Sequence, residues 1–156
     1  MLNDVQKRRR SEAGAALVEL AVALPLLMLV LVGTIDFARV FYMAIELTNA
    51  ARAGAQEGAH NTGFNQSASQ AAAIAAAPNI SSVSALASRL CQCADDAGSF
   101  FSTSPANTCT ATSCPSGHLV ISITVTASRT FTTIATFPGV PSTIPLSRSA
   151  TLRVAN

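Results

Sequence analysis

Tryptophan is absent from this chain, tyrosine occurs once, and only 12 % of its 156 residues are charged. Its two histidines, His60 and His118, stand far apart, and it contains no Gly-x-Ser-x-Gly, no His-Glu-x-x-His and no glycine-rich phosphate loop. The common ways of presenting a nucleophile, a catalytic metal or a bound phosphate are therefore missing, and neither an enzyme nor a cofactor is expected. Asp95-Asp96 is a candidate for holding a cation, but a solvated turn accounts for it, and the many serines read as strand and loop surface. The net charge is only +2. Residues 1–14 hold Lys7, Arg8, Arg9 and Arg10 against Asp4 and Glu12, which leaves six arginines against six acids in the remainder. Nothing there attracts phosphate backbones, so no nucleic-acid partner is expected.

What the chain does have is a long apolar run near its start. From Ala13 to Ile35 there are 23 residues whose only charge is Glu19. As a helix they reach about 35 Å, enough to cross a hydrocarbon core of about 30 Å. The cluster Lys7-Arg8-Arg9-Arg10 precedes the run and the first basic residue after it is Arg39. The positive-inside rule then makes the cluster a topology signal, with the N-terminus cytoplasmic and everything after about Asp36 outside. A secretory signal peptide fits less well, because its apolar region spans about 7 to 15 residues before a small-x-small site. Here Ala21-Val22-Ala23 lies inside the run, and no cysteine stands near its start.

Glu19 needs a reason, since an acidic group at mid-membrane costs about 2.5 to 3.5 kcal/mol. One reading has it near the cytoplasmic interface, snorkelling or protonated. The other is a cut after Gly14 that makes Ala15 an amino terminus one helical turn away, giving the carboxylate an ammonium partner.

Basic residues, Gly14, four small or apolar residues, Glu19 and a long apolar helix together resemble the class III signal of type IV pilin-like proteins. The continuation is more specific: Ala15-Ala16-Leu17-Val18-Glu19-Leu20-Ala21-Val22-Ala23-Leu24-Pro25, then Gly33-Thr34-Ile35-Asp36-Phe37-Ala38-Arg39, then Thr48-Asn49-Ala50-Ala51-Arg52-Ala53-Gly54. It resembles the TadE-like proteins, minor pseudopilins of the tight-adherence (Tad, or Flp) pilus. The resemblance covers about residues 12 to 57 and departs at Leu20, where the family usually carries an aromatic residue. It implies a short leader removed by a prepilin peptidase between Gly14 and Ala15. It also implies pairing of Glu19 with the amino terminus of its own or a neighbouring subunit, and partners among other pilins, pseudopilins and the pilus assembly platform in the inner membrane.

Asp36 to Glu57 lacks proline and is rich in good helix formers, so the helix is expected to continue past the membrane, with Pro25 bending it. Phe37, Phe41, Ala44, Leu47 and Ala51 recur at spacings of three and four and suggest the face that packs on an external domain. Asp36 and Arg39 are placed to pair. Gly54 and Gly58 read as the fraying end. Beyond lie a short helix over Ser67–Ala77 stopped by Pro78, then three strands over Ile80–Cys93, His118–Phe131 and Ile144–Val154, the last two with clean alternation. The expected fold is α+β and pilin-like. It divides into a basic leader (1–14), a long helix (15–57, transmembrane to about residue 35) and an external domain (58–156) with an antiparallel sheet of about three strands. A loosely ordered Ser/Thr/Ala stalk is the alternative, and the alternation argues against it.

Cys91, Cys93, Cys109 and Cys114 fall on the expected outer side, where disulfides persist. A Cys91–Cys93 bridge is disfavoured, since alternate residues of a strand stand about 6.6 Å apart. Two connectivities remain, each tying the 91/93 pair to the 109/114 pair. The spacing departs from zinc knuckles, so no metal is expected. Two functional readings follow: a non-catalytic pseudopilin of a tight-adherence pilus, or an uncleaved bitopic envelope anchor with a structural or adhesive external domain.

Overall fold

The structure is a computed structural model that describes residues 2–60, 63–104, 114, 117–135 and 139–154, with side chains described outside 2–13 and 101–104. Helix α1 runs from Leu2 to His60 and passes Pro25 without a break. Its two threonine hydroxyls are satisfied within the helix: Thr34 Oγ1 donates to the Val30 carbonyl and Thr48 Oγ1 to that of Ala44, each at 2.8 Å. That back-bonding lets a polar side chain sit in an apolar helix without an unpaired donor. Helix α2, Gln66–Ala75, begins where the Asn65 side chain accepts the Ala68 N–H at 3.1 Å and ends before Pro78.

Four strands follow, β1 (Ser84–Ala94), β2 (Phe100–Ser104), β3 (His118–Thr132) and β4 (Thr143–Val154), in one antiparallel sheet of order β2-β1-β3-β4. The α+β class and the three longer strands are as expected. The short edge strand β2 is additional, because five residues beginning Phe-Phe carry no alternation from which to read a strand. Asp95 closes the turn into it: its carboxylate accepts the Ser99 N–H at 2.7 Å, which is the solvated turn expected of the Asp95-Asp96 pair.

The core lies between the sheet and the two helices. Leu47, Ala50 and Ala51 of α1 meet Ala77 and Ala127, with Met43 and Leu146 against them. A second cluster joins Ala55, Ala73, Ala87, Ile123 and Val125. Alternation along β3 supplies this face from Ile123, Val125, Ala127 and Phe131, all buried, while Thr124 on the other face shares a hydrogen bond with Thr151 of β4.

Two expectations about α1 are corrected. Phe37 and Phe41 do not pack on the domain: they are 65 % and 55 % exposed, and their rings meet each other edge to face at 4.7 Å. The buried row instead follows Asp36, Leu47, Ala50, Ala51, Gly54, Ala55 and Gly58. Adjacent helical positions differ by about 100°, so Phe37 is turned away from the face that Asp36 presents to the sheet. Nor do Gly54 and Gly58 fray. Both are buried inside α1, and a Cβ at Gly54 would stand 2.7 Å from the Ser69 carbonyl oxygen and one at Gly58 2.8 Å from Ile123 Cγ2. They are glycine because α2 and β3 approach the helix too closely for a side chain.

Candidate functional site

The apolar span is the part of α1 that the protein leaves uncovered. From Gly14 to Ile35 every side chain is exposed except half-buried Val32, and α1 is long and apolar enough to cross a membrane. A row of exposed leucines and valines of that length is costly in water and favourable in lipid, where a helix satisfies its own backbone. The chain therefore has the form of a single-pass membrane protein.

The span ends at a junction built from three side chains. Asp36, only 8 % exposed, accepts the Ile134 N–H at 3.0 and 3.2 Å through its two carboxylate oxygens. Arg39 Nη1 donates to Asp36 Oδ1 at 2.8 Å, realising the expected pair. The Arg39 guanidinium carbon also lies 5.0 Å from the centroid of the Phe131 ring, within cation–π range. A buried carboxylate with both a charged and a backbone donor is well satisfied. Its effect is to fasten the end of β3 to the helix at the point where the apolar run stops. The pair is legible in the sequence as an i, i+3 couple, but the contact with Ile134 spans 98 residues and leaves no local signal.

The proposed processing residues stand on the exposed helix. Gly14 and Ala15 are consecutive in unbroken α1, a Cβ at Gly14 would meet nothing within 4 Å, and Glu19 is exposed with no ion pair or hydrogen bond among the described residues. Lys7, Arg8, Arg9 and Arg10 lie in the first turns of α1, and their side chains are outside the described residues. The single chain thus brings Gly14, Ala15 and Glu19 onto one helix but gives Glu19 no partner of its own.

The cysteines hold the far end of the sheet. Cys93 bridges Cys114 with Cα atoms 5.6 Å apart, and Cys91 is also disulfide-bonded, whereas Cys109 lies outside the described residues. Cys91 and Cys93 are both buried on one face of β1, with half-buried Gln92 between them. Among the described residues no group of three His, Cys, Asp or Glu is placed to hold a metal ion.

An apolar N-terminal helix that continues into a small sheet domain defines an α+β protein with the form of a single-pass membrane protein. The model of the TadE-like protein family matches residues 14–56, the helix from Gly14 nearly to its end, so this segment of the chain is similar to TadE-like proteins. No curated protein and no solved structure matches the chain.

Proposed function

We propose that this chain is a minor pseudopilin that takes part in assembling a tight-adherence type IV pilus and performs no catalysis. The observation that carries the reading is the TadE-like match over residues 14–56, which begins at the glycine of the expected cleavage site and ends within the helix that packs on the sheet. In this reading residues 1–14 are a cytoplasmic leader cut by a prepilin peptidase between Gly14 and Ala15. Residues 15–57 form the helix that enters the bilayer and then the pilus, and residues 58–156 form a periplasmic or extracellular domain. Glu19, exposed and unpartnered, accepts the new Ala15 ammonium of its own or a neighbouring subunit, which offsets the cost of a carboxylate in lipid. Other pilins, pseudopilins and the assembly platform are its partners. The Ser/Thr-rich outer face of the sheet leaves room for an adhesive contribution.

The intact mass and N-terminal sequence of protein recovered from bacterial envelopes, with and without the peptidase, test this directly. A peptidase-dependent start at Ala15 is expected. A retained leader in both strains would replace the reading by its alternative, an uncleaved bitopic anchor. One observation favours that alternative: α1 is helical on both sides of the Gly14–Ala15 bond, so a peptidase has to unwind a turn to reach it. Glu19→Ala is expected to insert normally and to lose piliation, and normal piliation would remove Glu19 from the mechanism.

A further inference from the structure

Arg129 is out of place by the logic of its strand. Alternation along β3 puts it on the helix-facing side, between Ala127 and Phe131, which are 0 % and 1 % exposed. It is half-buried and forms no ion pair among the described residues. A guanidinium on an apolar face is costly unless an anion or several acceptors meet it. Arg129 opens instead into a cavity of about 520 Å³ between α1 and the Asn79–Ser81 segment, and Arg39 lines the same cavity. Arg39 gives one nitrogen to Asp36, while a guanidinium has five N–H donors, so most of its donors remain available. Ser81 and Asn79 add neutral donors, and no carboxylate lines the cavity among the described residues.

The level of this cavity on the helix decides what kind of anion it meets. Its α1 wall extends from Ile35, the last residue of the apolar run, to Met43. That is about 12 Å along the axis, starting at the hydrocarbon edge and rising through a headgroup layer about 5 to 7 Å thick. Phe37, Phe41 and Tyr42 are exposed on α1 within this stretch, as aromatic side chains are at a membrane interface. Ile134, held at this level by Asp36, is 60 % exposed. On α1 the wall is thus apolar at its membrane end, Ile35, cationic at Arg39, and closed above by Tyr42 and Met43.

We infer that this cavity binds the phosphate headgroup of an anionic phospholipid from the leaflet that α1 enters, with Arg129 and Arg39 on the phosphodiester and the acyl chains along Ile35. The inference rests on α1 crossing a bilayer and is independent of the pilus reading.

The chain supplies its own reporter, since Tyr42 lines the cavity, is the only tyrosine, and no tryptophan is present. Full-length protein is reconstituted into phosphatidylcholine vesicles with and without phosphatidylglycerol, and Tyr42 emission is followed with either lipid carrying a nitroxide on its acyl chain next to the glycerol, a quencher whose reach extends into the headgroup layer. Nitroxide-labelled phosphatidylglycerol is expected to quench Tyr42 saturably and in preference to nitroxide-labelled phosphatidylcholine. Arg129→Gln should reduce that preference about tenfold, the scale of one charge-assisted hydrogen bond, and Arg129→Lys should restore part of it. The same change at exposed Arg148 on β4 should leave it intact, and an unchanged Cys93–Cys114 bridge and circular dichroism spectrum exclude misfolding of the variants. Equal quenching by both lipids, an unaffected Arg129→Gln variant, or quenching by neither lipid would overturn the inference. Relief of quenching by inorganic phosphate would overturn it too, by identifying a site for a soluble anion.

Discussion

Asp36 is the residue on which the junction between span and domain turns. Removing its carboxylate leaves the Ile134 N–H and the Arg39 guanidinium without their acceptor at a site only 8 % exposed. Asp36→Ala is therefore expected to cost about 1 kcal/mol, the scale of losing part-buried hydrogen bonds whose donors can still reach water, read as earlier thermal loss of the sheet signal in detergent. Gly58 gives the opposite kind of variant. A methyl group there would stand 2.8 Å from both Ile123 Cγ2 and Ser69 Oγ, so Gly58→Ala should destabilise by about 1 to 3 kcal/mol through overpacking. Gly14→Ala has open space around it and should leave the melting temperature unchanged or slightly raised, although in the pseudopilin reading it blocks processing. The difference between these glycines was not legible in the sequence. Composition marks a glycine as a weak point of a helix, and only the approach of α2 and β3 reveals one that permits contact.

At the scale of elements, the strands were legible where apolar and polar residues alternate in the sequence. Leu119 to Ala127 alternates with Ser122, Thr124 and Thr126, and β3 runs through that whole stretch. Strand β2 was not, because an edge strand of five residues is selected by its pairing with Cys91–Ala94 rather than by its own pattern. The aromatic stripe of α1 failed for a related reason: spacing identifies residues that share a face, but not which face a sheet will cover. The disulfide is the element-level constraint open to test. Cys93 and Cys114 are 21 residues apart, and removing both as alanines should cost about 3 kcal/mol in the chain-entropy model. The measurement is the melting temperature of the variant against the unreduced parent.

For the molecule as a whole, the two halves of α1 belong to different solvents. The half from Gly14 to Ile35 is exposed and apolar, whereas Leu47 to Gly58 contributes to both core clusters. A chain beginning at Asp36 keeps every buried residue of those clusters and the Asp36 junction. It is expected to fold and remain in solution without detergent, while the full chain sediments with membranes. Detergent-dependent solubility of the truncated form would show that the exposed Phe37, Phe41 and Ile45 also require lipid or a partner helix. The membrane half of this division was legible from hydropathy alone. The cavity holding Arg129 was not, since it joins β3 to the Asn79–Ser81 segment and α1 across long separations.

Because α1 is one helix with no joint between the span and the sheet, the compass heading of the external domain around the membrane normal is set by helical phase. One alanine inserted after Gly33 would turn the whole sheet by about 100° relative to whatever the span contacts in the bilayer, while lifting it only about 1.5 Å. Seven would lift it about 10 Å yet return it to within about 20° of its original bearing. A neighbour that reads the direction of the domain would tolerate the longer insertion and reject the shorter one.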